Sequence, residues 1–153
     1  MDDFVFEKVV YLSDTNAEGN VYFARFFEWQ GMAREEFFKR NVPNHMEIIG
    51  SGIRLITANA WMTYHSECHL FDVIGIRINT ANLKPASLEL IFTFSKKSTG
   101  EFIGRGGEKL TFAKDGQLIH IPEVIRQNAE RFLTEPAPEV VELGFKAKGR
   151  AAT

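Results

Sequence analysis

The stretch from Val21 to Arg40 constrains this fold most. It holds no proline and no turn cluster, and it is rich in Phe, Ala, Glu and Arg, which predicts one long helix. At about 100° per residue, Tyr22, Phe23, Phe26, Phe27, Trp29, Ala33, Phe37 and Phe38 fill an arc of roughly 160°. Arg25, Glu28, Glu35 and Lys39 fall on the opposite side. So wide an apolar arc has to be wrapped by a curved partner. Asn20, or the Asp14–Asn16 group, is the expected cap. Gln30 and Arg34 break the pattern, because both fall inside the arc. A guanidinium there must find partners or reach a solvated cleft, since an unpaired buried charge is costly.

The remaining sequence supplies the wrapping. Residues 4–12 read as a strand rich in Phe and Val, and 13–20 as a turn cluster. A short helical turn is expected at 44–49, ended by Gly50-Ser51-Gly52. Four segments then alternate with a period of two, at 54–66, 73–83, 88–96 and 102–112. Their even positions run Ile56, Ala58, Ala60, Met62 and Tyr64; Ile74, Ile76 and Ile78; Leu88, Leu90, Phe92 and Phe94; and Phe102, Gly104, Gly106, Glu108, Leu110 and Phe112. Strands with one apolar face make an antiparallel sheet covered on one side. Asp115-Gly116 signals a hairpin into a last strand at 117–121. Pro122 is expected as the first residue of a terminal helix. The expected class is α+β, with positions 1–133 as one domain and 134–153 as a tail whose last residues are disordered.

Composition narrows the function. The 153 residues carry a formal charge of −2, with a pI near 6.1. That argues against a nucleic-acid partner or a polybasic membrane contact. One cysteine, Cys68, allows no internal disulfide framework and no Cys-rich zinc site. The acidic start has no secretory pattern, and no apolar run approaches the ~20 residues of a membrane span, so a cytoplasmic protein is expected. In His65-Ser66-Glu67-Cys68-His69 the two histidines share a strand face and Cys68 points away, so no metal is expected. Gly104-Arg105-Gly106-Gly107 lacks the lysine and helix of a phosphate loop and reads instead as a strand bending around the helix.

One motif carries a resemblance. Asp14-Thr15-Asn16-Ala17-Glu18-Gly19-Asn20-Val21, followed by Ala24-Arg25-Phe26-Phe27-Glu28-Trp29 and Ala33-Arg34-Glu35, resembles the signature of hotdog-fold thioesterases of the 4-hydroxybenzoyl-CoA thioesterase type. In those proteins an Asp-x-Asp-x-x-Gly loop runs into the central helix, and the likeness extends over residues 4–133. It implies a hotdog fold, a long central helix wrapped by a curved antiparallel sheet of five or six strands, with a C-terminal helix. Asn16 stands where the family commonly holds a catalytic carboxylate. That departure, with Trp29-Gln30-Gly31 and Arg34-Glu35, is similar to the branch found with enediyne polyketide synthases. A helix tyrosine of that branch is Phe26 here.

The branch releases a polyene β-ketoacyl chain from an acyl carrier protein, and hydrolysis is followed by decarboxylation. The resemblance implies Asn16 and Arg34 as catalytic residues and the Phe23 backbone N–H as oxyanion donor. It implies substrate contacts from Gly19, Tyr22, Phe26, Phe27, Gln30 and His65, no cofactor, and a homodimer assembled as a dimer of dimers. An activated β-keto thioester needs no strong base, and Glu35 is the reserve carboxylate if one is required. The plainer readings are that Asn16 only caps the helix and that Arg34 only pairs with an acid at an interface. The alternative functions are a general acyl-CoA thioesterase and a non-catalytic module that binds acyl thioesters.

Overall fold

The computed structural model describes residues 2–134. The expected tail lies outside these residues apart from Thr134. The chain runs β1 (Val5–Val9), α1 (Arg25–Asn41), α2 (His45–Gly50), β2 (Arg54–Tyr64), β3 (Val73–Ala81), β4 (Ser87–Lys96), β5 (Phe102–Lys114), β6 (Gln117–Ile119) and α3 (Glu123–Arg131). One antiparallel sheet has the order β1-β3-β4-β5-β2, with β6 paired to the far end of β5. This curled sheet around α1 is the hotdog architecture that the resemblance implied.

The inward rows of the sheet meet α1. Ile74, Ile76 and Ile78 of β3, Leu88, Leu90, Phe92 and Phe94 of β4, and Leu110 and Phe112 of β5 are buried, as the period of two required. They close on Phe26, Trp29, Ala33, Phe37 and Phe38 of the helix. The hairpin turn has the expected chemistry, with φ of 52° at Asp115 and 77° at Gly116, the left-handed pair that a two-residue hairpin loop uses.

Three local departures matter for the site. First, α1 begins at Arg25, four residues later than expected. Val21 and Asn20 instead form isolated bridges to Thr15 and His69, which pull this segment into extended backbone. Tyr22 and Phe23 therefore sit in a turn before the helix and are 46% and 57% exposed. The helix N-cap is Ala24, without a side-chain hydrogen bond, so neither Asn16 nor Asn20 caps it. Second, β2 carries a bulge between Thr57 and Asn59. The extra residue reverses the parity of the strand. Leu55 and Thr57 face the helix before it, and Met62 and Tyr64 after it, so the single even-numbered row expected for 54–66 is two half-rows. Third, Pro122 is the N-cap of α3 rather than its first residue.

The glycines of β5 serve close approach. A Cβ on Gly104 would lie 2.5 Å from the Thr63 carbonyl oxygen, and one on Gly106 would lie 2.1 Å from Gln30 Nε2. On Gly107 it would strike the Trp61 indole at 2.4 Å. This is the bend around the helix that the Gly-Arg-Gly-Gly run predicted.

Candidate active site

A cavity of about 390 Å³ opens where the loop of residues 13–24 meets the β2–β3 connection. Asn16, Tyr22, Phe23 and Phe26, all expected site residues, lie on its wall. Tyr64, Ser66, Glu67 and Cys68 line it as well.

The loop is shaped by its own hydrogen bonds. Asn16 Oδ1 accepts the Glu18 N–H at 2.9 Å, and the Asn16 carbonyl accepts the Gly19 N–H at 3.0 Å. Gly19 has φ of 87°, a conformation costly for any side chain, and its role is this turn rather than a place on the cavity wall. With its oxygen engaged within the loop, Asn16 has its Nδ2 hydrogens left to donate. The Phe23 N–H donates to no protein acceptor among the described residues. The Phe23 carbonyl is fixed by the Tyr64 hydroxyl, which donates to it at 2.6 Å. Burial pushes the Tyr64 phenol up to about 12, so it remains a protonated donor through the neutral range. Its ring packs edge-on against Phe26 at 5.3 Å.

Arg34 and Gln30 lie elsewhere, one to two turns farther along α1 and outside this cavity. Arg34 donates to Thr57 Oγ1 at 2.8 Å and to Glu108 Oε1 at 3.2 Å. Gln30 is fully buried and donates to the Trp61 carbonyl at 3.1 Å. His65 is also off the cavity wall: its N–H is bound to the Ile103 carbonyl and its ring rests on Phe102. Phe27 is 38% exposed at the margin of the helix arc. Among the described residues, no three His, Cys, Asp or Glu side chains gather to hold a metal, and no helix is long and apolar enough to cross a membrane.

Glu108 and Glu67 were missed by reading the sequence. The signal for Glu108 was present, since a carboxylate in the inward row of β5 breaks an otherwise apolar or glycine series. Burial pushes its carboxyl above the ordinary value of 4.5, and Arg34 pulls it partly back. A carboxyl raised on folding contributes stability that is fully present below 4.5 and is lost as pH climbs through the raised value. Glu108→Gln keeps an acceptor for Arg34 but removes the titrating group. Its stability is therefore expected to change less between pH 4 and pH 7 than that of the wild type, as read by thermal melts at the two pH values.

The profile of the thioesterase-like superfamily matches residues 10–129. The chain belongs to that superfamily. Among solved structures, this hotdog domain is similar to the dynemicin thioesterase, a protein shown to bind a polyene with induced fit. The two are 25% identical with a TM-score of 0.82, over 87% of this chain and 99% of that one. It is also similar to a gentisyl-coenzyme A thioesterase, 25% identical with a TM-score of 0.73, over 83% and 99% of the two chains. The 1,4-dihydroxy-2-naphthoyl-CoA thioesterase of Synechocystis, 19% identical with a TM-score of 0.75 over 84% and 96%, shares the fold.

Proposed function

We propose that this superfamily member hydrolyses an acyl thioester, with a β-ketoacyl or polyene polyketide chain on an acyl carrier protein as its substrate. What supports the reading is that Asn16 and Phe23 both line the cavity beside the start of α1, and that the Phe23 N–H has no protein acceptor among the described residues. Two donors there suit a thioester oxygen as it becomes an oxyanion when water attacks the carbonyl carbon. The positive end of the helix dipole favours the same charge. Collapse of the tetrahedral intermediate breaks the C–S bond and leaves an acid and a thiol. Apolar Tyr22, Phe23 and Phe26 suit the acyl chain. The likeness to a polyene-binding thioesterase supports this choice of substrate.

Arg34 enters this reading through a second copy of the chain. β2 is an edge strand whose residues 57–60 are exposed, and an open edge invites pairing. Thr57, the partner of Arg34, stands on that edge. A homodimer joined along β2, within a dimer of dimers, would set the guanidinium of one chain toward the cavity of the other. There it would bind a β-keto carboxylate or enolate as carbon dioxide leaves. A second reading, a general acyl-CoA thioesterase, is favoured by the carboxylate of Glu67 on the cavity wall and by the gentisyl-coenzyme A likeness.

Thiol release from β-ketoacyl-carrier protein, β-ketoacyl-CoA and saturated acyl-CoA tests both. Faster release from the carrier is the expected result. Equal release from carrier and CoA would favour the second reading, and binding without release would overturn the enzyme.

A further inference from the structure

We propose that Glu67 is the general base of this site, taking the place of the acid that the loop lacks at Asn16. The inference rests on the thioesterase reading and deepens it. Glu67 is the one carboxylate on the cavity wall among the described residues, and it shares that wall with Asn16 and Phe23. Glu35, the reserve acid of the sequence reading, is exposed on α1 and outside the cavity. Glu28 is held by Arg25 at 2.9 Å.

The placement of Glu67 is built, since both neighbours are clamped. Ser66 is tied to β5 through its N–H to the Ile103 carbonyl and its hydroxyl to the Phe102 carbonyl, both at 3.0 Å. The Cys68 carbonyl accepts the Val21 N–H at 2.9 Å, which fastens the connection to the catalytic loop. Asn20 is the strut between the two. Its carbonyl accepts the Asn16 N–H at 2.9 Å, and its Nδ2 donates to Glu67 Oε1 at 3.1 Å. Asn20 thereby touches both Asn16 and Glu67, alongside the Val21–Cys68 hydrogen bond.

One carboxylate oxygen is held and the other is left for chemistry. Oε2 lies 3.8 Å from His69 Nε2, beyond hydrogen-bond reach, and His69 is the titratable group facing it. The side chain is 18% exposed, so it is largely shielded yet reachable by water. In the step assigned to it, Oε2 takes one proton from water as the water oxygen bonds to the thioester carbon. The Asn16 and Phe23 donors hold the oxyanion. When the C–S bond breaks, the sulfur leaves with the bonding pair and receives that proton from Glu67, which returns to a carboxylate. Water and thioester become acid and thiol with nothing left over.

The test uses the full chain with a saturated acyl thioester, which has no β-keto activation. Glu67→Gln keeps the acceptor for Asn20 and removes the base. A fall in kcat of at least about 100-fold, with KM little changed and the acidic limb of the pH profile lost, is the expected result. Glu67→Ala should regain part of its rate with added formate, which also serves if the glutamine variant fails to fold. Asn20→Ala separates strut from base, because it removes the hydrogen bond and keeps the carboxylate. A smaller loss there supports the proposal. Near-wild-type turnover by Glu67→Gln, no rescue by formate, or an equal loss in Asn20→Ala would overturn it. Absence of turnover by the wild-type chain on every thioester would overturn the thioesterase reading itself.

Discussion

Alanine in place of Asn16 is expected to lower kcat for thioester hydrolysis by about 10²–10³-fold, the loss seen when one oxyanion donor is removed. The fold should scarcely notice. The single hydrogen bond made by the Asn16 side chain, from the Glu18 N–H, is in an exposed part of the loop, and its removal costs about 1 kcal/mol or less. Asn16→Asp sharpens the test. The aspartate retains an acceptor for Glu18 but replaces the amide hydrogens with negative charge, where the intermediate itself is negative. If donation is what Asn16 supplies, this variant should be impaired, and a rate above that of alanine would show that the carboxylate the family commonly holds here can work in this site. Steady-state kinetics and a thermal melt on each variant decide between them. Wild-type kcat in both would remove Asn16 from the chemistry.

Gly104→Ala is expected to destabilise the fold by about 3 kcal/mol, the upper part of the usual range for overpacking. Its Cβ would sit 2.5 Å from the Thr63 carbonyl oxygen and 2.8 Å from Met62 Cε. The methionine tip could swing aside. The carbonyl could not, because Thr63 pairs with Arg105 in the β2–β5 ladder and the whole strand would have to shift. The same shift would move Tyr64, which anchors the Phe23 carbonyl in the cavity, so activity should fall with stability. Urea denaturation gives the first quantity and thiol release the second. A variant with an unchanged urea midpoint would show that β2 yields more readily than its pairing implies.

Much of this fold could be read from residue order because its two periodicities are clean. Ile74, Ile76 and Ile78, then Leu90, Phe92 and Phe94, alternate without exception, and each row is buried. The misreadings have physical causes. Tyr22 and Phe23 continue the apolar helix pattern, yet bridges from Asn20 to His69 and from Thr15 to Val21 hold the chain extended, and no local signal reveals the pairing with His69. The bulge in β2 falls where Ala58 and Ala60 look equally suited to an inward row, so polarity does not mark the change of phase. Glu67 sits in a connection, where the surrounding histidines and cysteine draw attention to metal spacing. Its tie to Asn20 spans 47 positions and exists only once the strands are assembled. Arg34 was legible as a charge in need of a partner, and Glu108 answers that need from 74 positions away.

The phase change at Ala58 divides β2 into two tracts with separate histories open to them. One tract steadies Arg34 through Thr57, and the other presents Tyr64 to the cavity. Point changes could retune either tract alone over evolutionary time. A one-codon insertion or deletion at the junction would instead turn one tract over relative to the other, exchanging interior for exterior. Diversification of the cavity-facing end is thus channelled into substitution, with length variation pushed out to the connecting loops.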